Sequence, residues 1–239
     1  MYHLLRKQVI LFTIFFIVLS GKIFAQGNDI HRVERDDVPY YFGLTLGYNT
    51  AFLATQKSNK FLQDDSILVA EPLASRGIAL GLHATAKIND YFELKFNPQL
   101  ILGGARRFSY TLKAGLNEEA INQTLPTTLL SFPLSFKFNS DRINNFRTYL
   151  LLGAKFDVDL SANSAERLKD NYIKLAKYDY GAEAAIGFNI YMRYFTLSPE
   201  LKISYGFNNI LDREPSNKYS AVFSSLQTRM IMFSLHFEQ

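Results

Sequence analysis

Cysteine and tryptophan are absent from these 239 residues, and histidine occurs only four times. Without cysteine the chain has no disulfide framework, no thiolate metal site and no cysteine nucleophile. Apolar runs long enough for a spanning helix, which needs about 20 residues, are also missing after the first 25 residues. Any insertion of the later chain into a membrane must therefore use strands.

The first 25 residues have the three parts of a secretory signal peptide. Arg6 and Lys7 supply the positive region, and Val9–Ser20 is an almost unbroken apolar run. Ala25 then offers a small residue for cleavage. A single membrane anchor is the alternative, but the apolar run is shorter than a spanning helix requires. We therefore predict a cleaved signal peptide, and the lack of cysteine after it excludes a lipoprotein.

The rest of the chain is expected to form one domain. Removing 25 of the 239 residues leaves 214, enough for one large β domain. We predict a charged periplasmic lead-in at residues 26–39 and a barrel at residues 40–239. The net charge falls from +4 to +1 on cleavage, because the signal peptide carries three bases and no acid. The basic composition therefore gives no reason to expect nucleic acid as a partner.

Eight segments alternate apolar and polar residues with the period of two that is typical of β-strands. They cover 40–48, 78–88, 92–102, 130–139, 147–157, 178–190, 195–207 and 230–237. Short connections near 89–90, 140–144 and 192–193 alternate with long ones near 53–75, 113–125, 162–176 and 212–224. Outer-membrane barrels have this asymmetry, with the short turns in the periplasm. The sequence thus predicts an all-β, eight-stranded antiparallel transmembrane β-barrel of the outer-membrane type.

A soluble barrel of the lipocalin type is the competing fold, and the content of the two faces separates the two. The apolar face is bulky on all eight segments and would overfill the interior of so small a barrel. Phenylalanine and tyrosine also cluster beside the short turns, as in an interfacial girdle. The apolar face is therefore expected to meet lipid, and the chain is expected to reside in the bacterial outer membrane.

Acids and bases are balanced on the polar face, which is expected to line the lumen. A turn over Asn89–Tyr91 puts Lys87 opposite Glu93, and a tight turn after the sixth segment puts Glu183 opposite Lys202. Because an unpaired buried charge costs several kcal/mol, about 3–5 when one partner of a pair is removed, we expect ion pairs here. An interior filled by side chains also argues against a diffusion pore. The predicted structural charge network consists of Lys87, Glu93, Lys95, Lys137, Arg147, Lys155, Asp157, Asp179, Glu183, Glu200 and Lys202.

Four residues do not fit simple alternation. Pro98, Pro133 and Pro199 fall inside predicted strands, where each should remove a hydrogen bond of the β-ladder. We expect local bulges to accommodate them, although the sequence does not explain their purpose. Arg229 falls on the apolar face unless the last strand begins after it.

No pattern of residues indicates a catalytic, cofactor or metal site. Three histidines remain after cleavage: His31, His83 and His236. His83 lies mid-barrel near Thr85, where a structural histidine is favoured over a catalytic base. A lipid-modifying or proteolytic barrel centred on His83 stays open as an alternative. No histidine pair has metal-ligand spacing, and no glycine-rich phosphate loop follows a strand. The basic pair Arg106–Arg107, near the loop side, is placed to contact lipopolysaccharide phosphates.

Several segments resemble the PorT/SprT family of small outer-membrane barrels. The longest are Lys177–Tyr191 and Phe195–Leu211, preceded by Phe132–Phe138 and Gly153–Asp157. Within them, Ser198-Pro199-Glu200 is the most specific part. The resemblance covers nearly all of the predicted mature chain.

The resemblance implies a non-enzymatic component of the type IX secretion system, a machinery that exports sorting-domain cargo and is tied to gliding motility. It implies an accessory or assembly role, with protein partners in that machinery. The alternative is a generic small barrel that binds a surface ligand or lipopolysaccharide. Neither interpretation involves a cofactor.

Overall fold

The computed structural model describes residues 30–58, 67–103, 106–114, 117–125, 127–162, 175–211 and 223–239. The chain divides into two units, Met1–His31 and Arg32–Gln239, and the second unit contains all the strands described below. The predicted signal peptide lies outside the described residues. Within them, no helix is long and apolar enough to cross a membrane.

Twelve β-strands are present in the described residues, after a short 3₁₀ turn at Val33–Asp36. Their bounds are β1 Tyr40–Lys57, β2 Ile67–Leu73, β3 Ser75–Lys87, β4 Phe92–Phe96, β5 Gln99–Gly103, β6 Arg106–Ala114, β7 Asn117–Leu125, β8 Thr128–Asn139, β9 Phe146–Asp159, β10 Tyr178–Tyr191, β11 Thr196–Gly206 and β12 Phe223–Glu238.

Nine of these strands close into a ring in which every neighbouring pair is antiparallel. The order around the ring is β1, β3, β4 with β5, β8, β9, β10, β11 and β12, and β12 pairs with β1 again. β4 and β5 share one place in the ring, because both lie between β3 and β8. The ring therefore has eight positions, which confirms the predicted eight-stranded antiparallel barrel.

The two sides of each ring strand differ as the alternation predicts. On β3 the side chains of Ile78, Leu80 and Leu82 are exposed, whereas His83 and Thr85 are buried. Successive side chains of a strand point to opposite faces, so the exposed row is the outer wall and the buried row fills the lumen. The apolar face is therefore outside, which is the arrangement of a membrane barrel rather than a lipocalin.

Three short connections form one end of the barrel, which we call the turn rim: residues 88–91, 140–145 and 192–195. In the first turn Asn89 Oδ1 accepts hydrogen bonds from the backbone N–H groups of Tyr91 and Phe92, at 2.9 and 2.7 Å. Aromatic pairs surround this rim, among them Phe92 with Phe138, whose ring centroids are 5.1 Å apart. The short turns and aromatic girdle are thus present as predicted.

The opposite end, the loop rim, differs from the prediction. Much of the predicted long loops near 53–75 and 113–125 is strand: β1 continues to Lys57, and β2, β6 and β7 form a separate three-stranded sheet. β6 and β7 pair over nine residues each, so the two segments satisfy each other's backbone groups. The prediction missed β7 because that strand has no clear apolar row, and it overlooked the alternation of Phe108, Tyr110 and Leu112 with Ser109, Thr111 and Lys113 in β6. The predicted loops near 162–176 and 212–224 lie mostly outside the described residues.

An apolar core closes the lumen at the loop rim. Phe108 of β6 packs against Phe223 of β12, with ring centroids 5.7 Å apart. Below it, a smaller apolar group contains Ile101 and Met232. The larger core joins the barrel strands to the three-stranded sheet through buried side chains of Leu53, Phe108, Leu125, Leu175, Ile210, Leu211, Phe223 and Leu226.

The three prolines do not cause the expected bulges. The strand register is the same before and after Pro98, Pro133 and Pro199. The ladder survives because each proline still has a carbonyl: Pro98 O accepts from Leu82 N at 3.1 Å, and Pro133 O accepts from Asn97 N at 3.2 Å. The missing N–H of Pro98 instead divides the strand at the third ring position into β4 and β5.

Candidate functional site

Glu200 lies at the centre of the lumen, fully buried and surrounded by donors. Its carboxylate is 3.2 Å from Lys95 Nζ and 3.7 Å from Lys202 Nζ. It also accepts a hydrogen bond from the Tyr149 hydroxyl at 2.9 Å and lies 3.3 Å from His236 Nε2. β11 places Glu200 inward because residues 198, 200, 202 and 204 share the buried face of that strand. Two lysine ammonium groups, the Tyr149 hydroxyl and the His236 ring thus compensate the buried charge of Glu200.

A second cluster lies toward the turn rim. Lys137 Nζ is 3.3 Å from Glu93 Oε2 and donates to the Tyr41 hydroxyl at 3.2 Å. Tyr41 in turn donates to Glu93 at 2.7 Å, which closes a ring of three groups. The Lys137 ammonium also lies 4.3 Å from the centroid of the Tyr149 ring, a cation–π contact that links this cluster to Glu200.

Further ion pairs continue toward the loop rim. Lys202 Nζ is 3.3 Å from Glu183 Oε2, and the Ser135 hydroxyl donates to Glu183 at 2.6 Å. Lys155 Nζ lies 2.5 Å from Asp157 Oδ2. Above these, Asp179 accepts a hydrogen bond from Thr228. Paired charges therefore run through the lumen from one end to the other, up to the apolar core.

Two histidines lie between these clusters, with their rings edge to face and their centroids 5.2 Å apart. Thr45 Oγ1 lies 3.2 Å from His83 Nδ1 and 2.9 Å from His236 Nδ1. Gly43 leaves room for this pair, because a Cβ at that position would collide with the His83 ring. The side chains of both histidines are fully buried, so a lipid or peptide has no access to them. Geometry therefore favours a structural role for His83.

The 3₁₀ turn of the predicted lead-in inserts into the mouth of the barrel at the turn rim. The guanidinium of Arg35 pairs with the carboxylate of Glu238, donates to the backbone oxygen of Gln239 at 3.0 Å and lies 3.8 Å from the centroid of the Tyr41 ring. Arg32 donates to Glu238 O at 3.1 Å. Burial disfavours the charged form of Arg35, but the neighbouring Glu238 carboxylate outweighs it and raises the pKa of Arg35. The guanidinium of Arg35, which fills this mouth, therefore keeps its positive charge.

Nine of the eleven residues predicted for the charge network are buried in the lumen. Lys87 and Arg147 are the exceptions, because both lie where the strands reach the turn rim. Lys87 stands opposite Glu93, as the turn predicts, but its ammonium lies 2.8 Å from the exposed Asp90. Arg147 donates to Ser140 O at 2.9 Å. That the nine buried charges hold the barrel shut stays a prediction.

The predicted register of β10 and β11 is wrong by two residues. Lys202 pairs with Ala185, and Glu183 pairs with Ser204. The reason is the turn, which includes residues 192–195 and is closed by a hydrogen bond from Met192 N to Phe195 O at 3.0 Å. The lysine side chain is long enough to reach Glu183 diagonally across the strands, so the predicted ion pair forms in a different register.

The predicted basic pair Arg106–Arg107 separates across the two faces of β6. Arg106 turns inward and lies 3.5 Å from Asp159 Oδ2, whereas Arg107 is exposed. Strand alternation explains this result, since consecutive residues of β6 point to opposite faces. Arg106 therefore belongs to the lumen, and the expectation that both residues contact lipopolysaccharide is wrong for Arg106.

Exposed charge is distributed unequally between the two rims. At the loop rim, the described exposed charges are four bases, Lys57, Arg76, Arg107 and Lys177, and one acid, Glu71. Arg229, half-buried, adds a sixth charge to this rim. The turn rim is mixed, with Glu34, Asp37, Lys87, Asp90, Asp141, Arg142, Arg147 and Arg193. Among the residues that the structure describes, exposed charge is therefore mostly basic at the loop rim and mixed at the turn rim.

Sequence reasoning missed several members of the lumen network. His236 and Glu238 are inward positions of the last strand, and Tyr41 and Tyr149 occupy the polar face of their segments. Alternation alone places these four residues inside, and only their hydrogen-bonding role was unforeseen. Arg35 had no such signal, because nothing in the charged lead-in distinguishes it from its neighbours. Among the described residues, no group of histidine, cysteine or acidic side chains has the arrangement of a metal site.

Comparisons with known proteins agree with this architecture. Residues 24–212 match the family described as outer membrane protein beta-barrel domain. No curated protein matches the chain in sequence.

Solved structures of outer membrane proteins are among those similar to the chain. OprG, an outer membrane protein of Pseudomonas aeruginosa, has 12% sequence identity and a TM-score of 0.39, over 83% of this chain and 92% of OprG. Ail, the attachment invasion locus protein of Yersinia pestis, has 6% identity and a TM-score of 0.37, over 84% of this chain and 100% of Ail. A structure of Ail in complex with the heparin analogue sucrose octasulfate has 11% identity and a TM-score of 0.37, with the same coverage.

Proposed function

Because the chain belongs to the outer membrane protein beta-barrel domain family, we propose that it moves nothing through its lumen and acts by binding at its outer surfaces. It is an outer-membrane protein, so the turn rim faces the periplasm and the loop rim faces the outside. The ligand of the loop rim is a surface molecule, with lipopolysaccharide as the first candidate. We propose no enzymatic activity and no cofactor.

The filled lumen is the observation that carries this proposal. Eight strands leave an interior only just wide enough for side chains, and here buried ion pairs occupy it. Arg35 occupies the periplasmic mouth, and the apolar core around Phe108 occupies the other end. A solute would have to break paired buried charges to pass, at a cost of several kcal/mol, about 3–5 for each pair.

Electrical recording in planar lipid bilayers tests this proposal directly. The purified barrel is expected to insert without step-like currents, while a general porin inserted into the same bilayer shows that the assay detects open channels. Discrete, reproducible conductance steps from the wild-type protein would contradict the proposal.

A role in type IX secretion is a second candidate, favoured by the resemblance to the PorT/SprT family. In this role the barrel is an accessory or assembly factor that contacts other proteins of the machinery. An in-frame deletion followed by profiling of sorting-domain cargo tests it. Cargo that is lost from the medium and accumulates in the periplasm supports this candidate, and unchanged export rejects it.

The most specific segment of that resemblance has a structural explanation of its own. Ser198 and Glu200 of the Ser198-Pro199-Glu200 segment are buried in the lumen, and Glu200 is the centre of the ion-pair network. Ser198 donates to Asn189 Oδ1 at 2.9 Å. These contacts are needed by a closed barrel whatever its partners, so the deletion experiment decides between the two candidates better than the segment does.

We also propose that the first 25 residues are removed during export and that residues 26–39 remain as the periplasmic lead-in. N-terminal sequencing of the protein isolated from outer membranes is expected to begin at Gln26. If the mature protein began after Arg35, that residue would be absent and could not fill the periplasmic mouth of the barrel.

A further inference from the structure

Two arginines of the outer wall flank one strand at the loop rim. Arg76 of β3 is exposed and pairs with Thr50 of β1, and Arg229 of β12 pairs with Phe52 on the other side of β1. Strands lie about 4.8 Å apart and rise about 3.3 Å per residue, which puts the two Cα atoms about 12 Å apart. Thr50 lies between them on the same outward face. Both long side chains can therefore reach one headgroup in front of β1.

Arg229 is held in this position by an aromatic neighbour. Its guanidinium lies 5.1 Å from the centroid of the Tyr205 ring on β11. This contact explains how an arginine is accommodated on a face that is otherwise apolar on β12, where Ile231 and Phe233 follow. Tyr205 lies on the side of β12 away from β1, so the guanidinium must leave this ring and turn toward β1 to share a headgroup with Arg76.

The arginines lie at the depth of lipid headgroups. On β3 the outward apolar row runs from Ile88 to Ile78, about 33 Å of strand, or about 25 Å of height at the tilt of about 40° usual in such barrels. That height equals the apolar band of an outer-membrane barrel, so Arg76 is the first outward residue above it. An outward arginine is costly at mid-bilayer but nearly neutral at the interface.

Acidic side chains are scarce around this pair. On the outward faces of β1, β3, β11 and β12 near the loop rim, the described residues include no acid. Glu71 of β2, an exposed acid five residues before Arg76, pairs with Ser109 of β6. Nothing described here neutralises the two guanidinium groups in place of a ligand.

We propose that Arg76 and Arg229 form a binding site for the phosphate groups of an outer-leaflet glycolipid, with Thr50 as an additional hydroxyl donor. Arginine is suited to this ligand because its planar fork donates two parallel hydrogen bonds to a phosphate. The site deepens the proposed function, since it names the residues and the chemical group through which the loop rim binds lipopolysaccharide. Exposed Ile78 and Tyr48, below the site, meet the acyl chains.

Binding of fluorescent lipid A to the purified barrel in detergent tests the site. The double variant Arg76→Gln with Arg229→Gln is expected to bind phosphorylated lipid A at least tenfold more weakly than wild type. Arg193→Gln is the matched control, because Arg193 is an exposed arginine at the turn rim and its loss should leave the affinity unchanged. Arg76→Lys, which keeps the charge, should retain part of the affinity.

Two comparisons identify the chemical group. Wild type and the double variant should bind dephosphorylated lipid A equally weakly. Inorganic phosphate, added at the concentration of the lipid, should not displace phosphorylated lipid A from wild type. Equal binding by wild type and double variant, or full displacement by inorganic phosphate, overturns the proposal. The electrophoretic mobility of unheated samples confirms that each variant is folded. The bilayer recording is independent, so an open channel rejects the proposed function without affecting this result.

Discussion

At the scale of single residues, compensation of buried charge governs this protein. Glu200 is taken out of water completely, which is tolerable only because two lysines, a histidine and a tyrosine surround it. Similar pairs recur along the lumen, and each favours its own register, because a shift of one residue would turn one partner to the outer face.

Replacing Lys202 by methionine tests this compensation. The change preserves most of the side-chain length but leaves both Glu183 and Glu200 without that ammonium. We expect the free energy of unfolding to fall by about 3–5 kcal/mol, the usual cost of breaking a buried pair. The measurement is urea unfolding of the barrel in lipid vesicles, followed by the mobility shift between folded and unfolded protein on gels.

Lys87→Met is the control for that experiment. Its ammonium pairs with the exposed Asp90 at the turn rim, where solvent screening leaves an ion pair worth little. Equal losses in the two variants would show that buried compensation does not stabilise the barrel.

At the scale of elements, the turns set which strand positions face each other. In the β3–β4 turn, Asn89 accepts two backbone hydrogen bonds, whereas Asp90 is fully exposed beside it. A hydrogen bond from Lys87 lowers the pKa of Asp90. A lowered pKa stabilises the fold above the unfolded-state pKa and the contribution is lost as the pH falls through the folded-state pKa. Because Asp90 is in water, solvent screening keeps that contribution small.

Asn89→Ala is therefore expected to cost more than Asp90→Asn. Loss of the two backbone hydrogen bonds should lower the unfolding free energy by about 1–2 kcal/mol, whereas Asp90→Asn should change it by less, because solvent screens the exposed carboxylate. Unfolding in urea at pH 7 measures both. A larger loss for Asp90→Asn would mean that charge, rather than the backbone hydrogen bonds, stabilises this turn.

Phe108 attaches the three-stranded sheet to the barrel. It is fully buried against Phe223 in the apolar core of the loop rim. We expect Phe108→Ala to cost about 3–5 kcal/mol locally, which frees the β6–β7 hairpin while the ring strands stay paired. Protease added to whole cells should then cleave near residues 106–125 and leave a protected barrel. Wild-type resistance in the variant would contradict this role, and Arg107→Ala on the exposed face is the control.

Alternation and turn spacing were sufficient to predict the ring but not the elements beyond it. The apolar rows of β3, β9 and β12 face lipid on one side, so the period of two is strong in the sequence. β7 carries no such row, and the alternation in β6 does not show that its partners are β2 and β7 rather than strands of the ring. The error in the β10–β11 register has a different origin, because the length of the turn after Tyr191 depends on backbone hydrogen bonds that side-chain patterns do not report.

At the scale of the whole molecule, the lead-in connects the first and last strands of the ring. Arg35 contacts Tyr41 on β1 and Glu238 on β12, the two strands that close the barrel. This contact was beyond sequence reasoning, because it joins positions 203 residues apart through a segment without periodicity.

Arg35→Ala tests the importance of that connection. Removal of the guanidinium leaves the buried Glu238 carboxylate without its nearest cation, so we expect a loss of about 3–5 kcal/mol in unfolding free energy. Glu34→Ala, at an exposed position of the same turn, is the control and should change little. The double variant Arg35→Ala with Glu238→Gln should recover part of the loss. No recovery would indicate that Arg35 acts through Tyr41 rather than through the carboxylate.

The contact of Arg35 with Glu238 also orders events in time. Most pairings in the ring join neighbours in sequence and can form as soon as two adjacent strands meet, whereas this one requires β12 to be in place. We therefore expect the lead-in to dock only once β12 is in place. Until then Arg35 lacks its carboxylate partner, so docking of the lead-in would report that the ring has closed.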